Sequence, residues 1–155
     1  MAGLVLAGVG AGLTAAAAQL RGGRAAVNRA LTDPAATRQV IAAVSADVSE
    51  IYSYSYTGIG ATERAAQRVL AGQAAAQYRE LTPALQQAVG EQLTVVTRVD
   101  QAGVRWLSGG TAQLLVFMDQ TATRGHNKGT SVPAQIAVTA QLIAGRWRIT
   151  SIEAR

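Results

Sequence analysis

The sequence predicts an α+β protein: an N-terminal transmembrane helix followed by about three to four helices packed on a four-stranded antiparallel meander. Three observations predict it. Residues 2–20 carry no charge. Between residues 34 and 90 apolar side chains recur at helical spacing. From Leu93 the period changes to two and holds through four runs separated by turn signals. A chain of 155 residues has room for one domain with a real core. Three segments follow: a transmembrane helix over 1–21, a juxtamembrane connector over 22–32 and the α+β domain over 33–155.

The uncharged stretch of 2–20 would make a helix about 28 Å long, close to the thickness of a bilayer core. It is rich in Ala and Gly, and Gly8 and Gly12 stand four apart, a spacing that lets a second membrane helix approach closely. A cleaved signal peptide and a buried soluble helix are the competing readings; the first of these lacks a basic start. Arg21, Arg24 and Arg29 follow the stretch, so positive charge alone would place the domain in the cytoplasm.

In the connector, Gly22 and Gly23 accompany these arginines. Asp33 is a good N-cap and Pro34 suits a first helical position. Val40, Ile41, Val44, Val48, Ile51 and Tyr52 then form one apolar stripe, expected to cover a face of the sheet. Tyr52, Tyr54 and Tyr56 fall at its end and in the connector that follows. They either pack at the open end of the sheet or line a ligand mouth. Thr62 is expected to cap a second helix, with Val69 and Leu70 inward and Gly72 as its stop. A third short helix carries Tyr78 and Leu81, and Pro83 begins a fourth.

In the first strand region Leu93, Val95, Thr97 and Val99 share a face, and Gln101-Ala102-Gly103 is either a bulge or a tight turn. The organising run is 111–123. Leu114, Val116 and Met118 point one way, Leu115 and Phe117 the other, which predicts a central strand covered on both sides. Ile136, Val138 and Ala140 alternate in the third strand, with Pro133 near its beginning. Ala144-Gly145 signals a tight hairpin, after which Trp147, Ile149 and Ser151 are expected on one face.

The composition excludes much chemistry. There is no Cys, hence no disulfide framework and no thiolate nucleophile. The single His, His126, has no second His with which to hold a metal. No Ser-His-acid signature, nucleophile elbow or phosphate-binding glycine motif occurs. The net charge is +5, yet the basic residues are scattered singly, which does not describe a nucleic-acid surface. Asp119 is the one carboxylate inside an apolar strand run: a strand-end carboxylate in water, or a pocket acid. No cofactor is expected.

Residues 32–56, 61–66, the run 114–124 and Gly145-Arg-Trp-Arg-Ile149 carry a resemblance that spans about 31–155. In them the chain resembles the actinobacterial Mce-associated (mammalian cell entry-associated) membrane proteins. The resemblance implies a cone-shaped nuclear transport factor two-like domain. It also implies a single-pass accessory protein of the bacterial inner membrane, its domain on the outer (periplasmic) side. The partners so implied are Mce transporter subunits, or other membrane proteins, and the lipid bilayer, with a lipid ligand left open. The role is support for assembly or stability of a lipid importer, and no catalytic residue comes with it. One rival is a small-molecule binder or isomerase using the cone cavity, with Tyr52, Tyr54, Tyr56 and Asp119 as its polar lining. Another is an assembly factor of a type IV-like secretion machine.

Overall fold

The computed structural model of the chain describes residues 27–155. The expected membrane helix, with Gly8 and Gly12, lies outside the described residues. Among those described, no helix is long and apolar enough to cross a membrane. Four helices, α1 (Pro34–Ile51), α2 (Ile59–Val69), α3 (Gly72–Glu80) and α4 (Thr82–Gly90), precede four strands, β1 (Leu93–Ser108), β2 (Thr111–Arg124), β3 (Thr130–Ile143) and β4 (Arg146–Ala154). The strands form one antiparallel sheet in the order β1-β2-β3-β4.

α1 begins where Asp33 predicts. The Ala36 N–H donates to the Asp33 carboxylate at 3.0 Å, and Pro34, which has no N–H to lose, follows the cap. That hydrogen bond, with Arg29 beside it, holds the Asp33 carboxyl below its usual value against some burial. The stripe of α1 buries Val40, Val44, Val48 and Ile51, with Ile41 and Tyr52 packed at its margin. The same core cluster takes in Leu107 of β1, Leu114, Val116 and Met118 of β2, Ile136, Val138 and Ala140 of β3, and Ile149 of β4, with α1 lying chiefly against β1.

Thr62 does not cap α2. The helix starts one turn earlier, behind Gly58, and Thr62 sits inside it, buried, its hydroxyl donating to the Ser53 carbonyl at 3.0 Å. A buried hydroxyl needs a partner, and that carbonyl outcompetes a capping role. Nor does Gly72 stop α2, which ends at Val69; Gly72 opens α3 with φ +53°, a conformation that would strain a side-chain-bearing residue. Val69 and Leu70 are inward as expected. Leu70 bridges in parallel to Ile149, which covers part of the outer edge of β4.

Gln101-Ala102-Gly103 makes no turn. β1 runs through it as one strand, with register irregularities between Val99 and Gln101 and between Val104 and Trp106. A third irregularity, between Thr139 and Ala140 of β3, skips Thr150 and moves Ser151 off the Trp147–Ile149 face. Ile152, which packs against the core, takes the place expected of Ser151. Ala144 and Gly145 both have positive φ, the conformation of a tight two-residue hairpin.

The expectation of a strand covered on both sides is corrected. β2 is interior to the sheet, but only its Leu114, Val116 and Met118 face is buried. Phe117 is 42% exposed and Leu115 half-buried. The buried residues of the sheet lie on the side that α1 covers, and no described element covers the other. An apolar run reads the same whether its second face is covered or not; the number of elements available to cover it decides.

Candidate functional site

The residues left without cover make one continuous surface, the open face of the sheet. Phe117 stands at its centre. The ladder sets Gln101 and Gln135 on either side of Phe117, and Gly103 and Ala137 on either side of Leu115. A side chain at Gly103 would meet no neighbour within 4 Å, so Leu115 stands beside open space. The apolar centre is flat because its cross-strand neighbours are small or unbranched.

One end of the face is charged. Arg98 pairs across the ladder with Asp119, and Asp119 with Pro133. Arg98 and Asp119, with Val96, Asp100, Thr121 and Ser131, line a shallow depression of about 180 Å³. A second depression of about 100 Å³ includes Arg105, Gln113, Thr139 and Glu153. Both volumes are small beside a drug-sized pocket of several hundred Å³. Asp100 enters this cluster because it stands two residues beyond Arg98 on the same face of β1; the irregularity between Val99 and Gln101 then brings Gln101 to that face as well. The alternation that groups Asp100 with Val96 and Arg98 was the signal in the sequence, although it did not say that this face would be bare.

The tyrosines and Asp119 do not meet. Tyr52 follows α1, and its carbonyl accepts the Thr97 hydroxyl at 2.8 Å. Burial pushes its phenol up to about 12. Tyr54 bridges to the edge of β1 through a pair of hydrogen bonds with Val95, and burial raises its phenol too. Tyr56 lies half-buried in the connector. Gln120 donates to the buried Thr97 hydroxyl at 3.2 Å, so it faces the helices. Its neighbour Asp119 therefore faces the open side, where it is exposed. Tyr52 packs against the core and Tyr54 is tied to β1, whereas Asp119 belongs to the open face. His126 is exposed in the β2–β3 loop. Among the described residues no group of three His, Cys, Asp or Glu could hold a metal ion.

One carboxylate does sit in a perturbing place. Asp47 of α1 is raised from the ordinary 3.8 to about 6, chiefly by burial and then by Glu50, with Arg68 of α2 opposing. Glu50 itself pairs with Arg68 at 2.6 Å. The folded chain thus binds this proton more tightly than the unfolded chain does. The resulting stability is present below the ordinary value and is lost as pH rises through about 6. Asp47→Asn should therefore raise the melting temperature at neutral pH and change it little under acid conditions. Thermal melts across the pH range check this; an equal effect at both ends would contradict it.

No family model matches the chain. It is similar to the uncharacterized protein Rv1362c of Mycobacterium tuberculosis strain H37Rv, 30% identical over 122 residues, which cover 77% of this chain and 56% of that protein. The uncharacterized protein MT1407 of strain CDC 1551 matches to the same extent. The chain thus spans about half the length of the curated relatives it matches. Its structure is similar to that of an IcmL-like type IV secretion system protein from Legionella pneumophila, with a TM-score of 0.65 and 12% identity over 76% of this chain and 91% of that one. At that identity the likeness speaks to the fold alone. It is the nuclear transport factor two-like α+β fold, four helices against a four-stranded antiparallel sheet.

Proposed function

We propose that the protein is a non-enzymatic, membrane-anchored accessory subunit that supports the assembly or stability of an Mce-type lipid importer. Residues 2–20 would be the anchor, and the domain would stand on the outer side of the inner membrane as a cone-shaped module. The observation that carries this reading is the open sheet face: a flat apolar centre at Leu115 and Phe117 beside polar and charged residues. A surface of this kind suits a protein partner better than a small molecule, which needs a concave site. The mycobacterial source of the relatives accords with the actinobacterial proteins that the sequence resembles.

The cavity reading asks for Asp119 in an enclosed polar pocket with the tyrosines. The exposure of Asp119 and its separation from them count against it. Asp119→Asn keeps the shape and removes the charge and the titratable proton. In a deletion strain complemented with this variant, lipid uptake and the abundance of the other transporter subunits should stay near wild type. Loss of uptake with every protein at normal abundance would point to proton chemistry or a ligand site instead.

A further inference from the structure

The chain begins its described course at one end of the sheet. There Arg29 N–H donates to the Leu107 carbonyl at 2.7 Å, and the Asn28 side chain both accepts from Leu107 N–H at 3.0 Å and donates to the Arg105 carbonyl at 2.9 Å. Three hydrogen bonds thus fix the connector to the last turn-ward residues of β1. Both tight hairpins lie at the same end. Leu142 N–H donates to the Gly110 carbonyl at 2.7 Å, which ties the β3–β4 tip to the β1–β2 tip.

This end has an unusual surface. Leu31 is 93% exposed, Leu142 48% and Ile143 38%, and Val27 is exposed beside them in the connector. Residues 105–112 and 141–148 include no acidic residue; of their arginines, Arg148 donates to the Gln67 and Leu70 carbonyls and Arg105 shares a depression with Glu153, which leaves Arg146 exposed at the β3–β4 tip. Asp33, the acid next to the connector, is taken up by Arg29. Aliphatic tips beside an exposed arginine, with no carboxylate in either hairpin, are complementary to an apolar layer edged with negative charge.

The chain preceding this end says what that layer is. Only residues 21–26, which include Arg21 and Arg24, separate Val27 from the uncharged stretch 2–20. Even fully extended, that link reaches only about 25 Å. If 2–20 spans a bilayer, Val27 is held within that reach of its surface, and the hydrogen bonds of Asn28 and Arg29 bring the hairpin end of β1 with it. We propose that this end of the domain rests on an anionic bilayer, with Leu31, Leu142 and Ile143 in the interfacial layer and Arg146 among the headgroups. The inference rests on the anchor reading of residues 2–20. It gives the domain a fixed stance, tips toward the membrane, that the open sheet face alone does not require.

The chain has no Cys, so Ile143→Cys and, at a loop far from the tips, Lys128→Cys each accept a single spin label. The labelled full chain would be reconstituted into phosphatidylcholine vesicles with or without phosphatidylglycerol, and floated before measurement. The expected result in phosphatidylglycerol vesicles is a label at 143 severalfold less accessible to a water-soluble relaxation agent than the label at 128. Adding Arg146→Gln should shift the label at 143 toward water by about fivefold, the equivalent of about 1 kcal/mol per basic side chain near an anionic surface. A chain that floats while both labels are equally accessible would overturn the tip contact and leave the anchor standing. A chain that does not float would overturn anchor and tip contact together. Protection at 143 that is equal in phosphatidylcholine alone and indifferent to Arg146→Gln would overturn the assignment to anionic lipid.

Discussion

Leu114→Ala is expected to destabilise the domain by about 2–5 kcal/mol, whereas Phe117→Ala, three residues along the same strand, should cost far less. Leu114 is 1% exposed and packs in the core beneath the helices, so its truncation leaves a cavity walled by residues already in place. Phe117 is large but stands on the open face, and its truncation removes contact with water and with ladder neighbours such as Gln101 and Gln135 rather than with the core. Denaturant unfolding of the two variants measures the difference directly. Equal losses would mean that the second face of β2 is covered after all. Negligible loss at Leu114 would mean that the helices do not close over the sheet as described.

Phe117→Ala should instead act on association. An exposed aromatic at the centre of a flat apolar surface, ringed by polar groups, is the kind of residue that dominates a protein interface. Its truncation is expected to cost at least about 2 kcal/mol of binding, roughly thirtyfold in affinity. The fold should survive, because the side chain contributes little to the core. The readout is partner recovery from membranes at matched abundance of the variant and wild-type chains. Undiminished recovery would move the interface elsewhere on the domain or into the membrane segment. In that case Gly8→Leu with Gly12→Leu, which would obstruct close helix packing in the bilayer, becomes the variant expected to lose partners.

Much of this fold was legible in the sequence, and the places where it was not have physical causes. α1 is legible because Asp33, Pro34 and the 3.6-residue stripe all state the same thing locally. The four strands are legible from alternation and from the Ala144-Gly145 turn. Thr62 misled because a Thr can cap a helix or pair with a distant carbonyl, and only the fold brings Ser53 within reach. Ser151 misled because one skipped residue in β4 inverts the faces beyond it, and nothing local at Thr150 announces the skip. The candidate site was half legible. The residues of 114–118 drew attention, but an uninterrupted apolar run conceals which face is bare. Asp119 and the tyrosines looked like one polar lining because alternation along β2 says which residues share a face, not which face looks toward residues 52–56. The attachment of Asn28 and Arg29 to β1 had no local signal at all, since it joins segments almost eighty residues apart.

The claim that the open face belongs to a subunit of a lipid importer is tested most directly by purifying the tagged full chain from its native membranes in a gentle detergent and identifying what accompanies it by mass spectrometry. Mce transporter subunits should be enriched with the wild-type chain and depleted with Phe117→Ala. Recovery of secretion-machine subunits in their place, or of the chain by itself with uptake unchanged in the deletion strain, would contradict it.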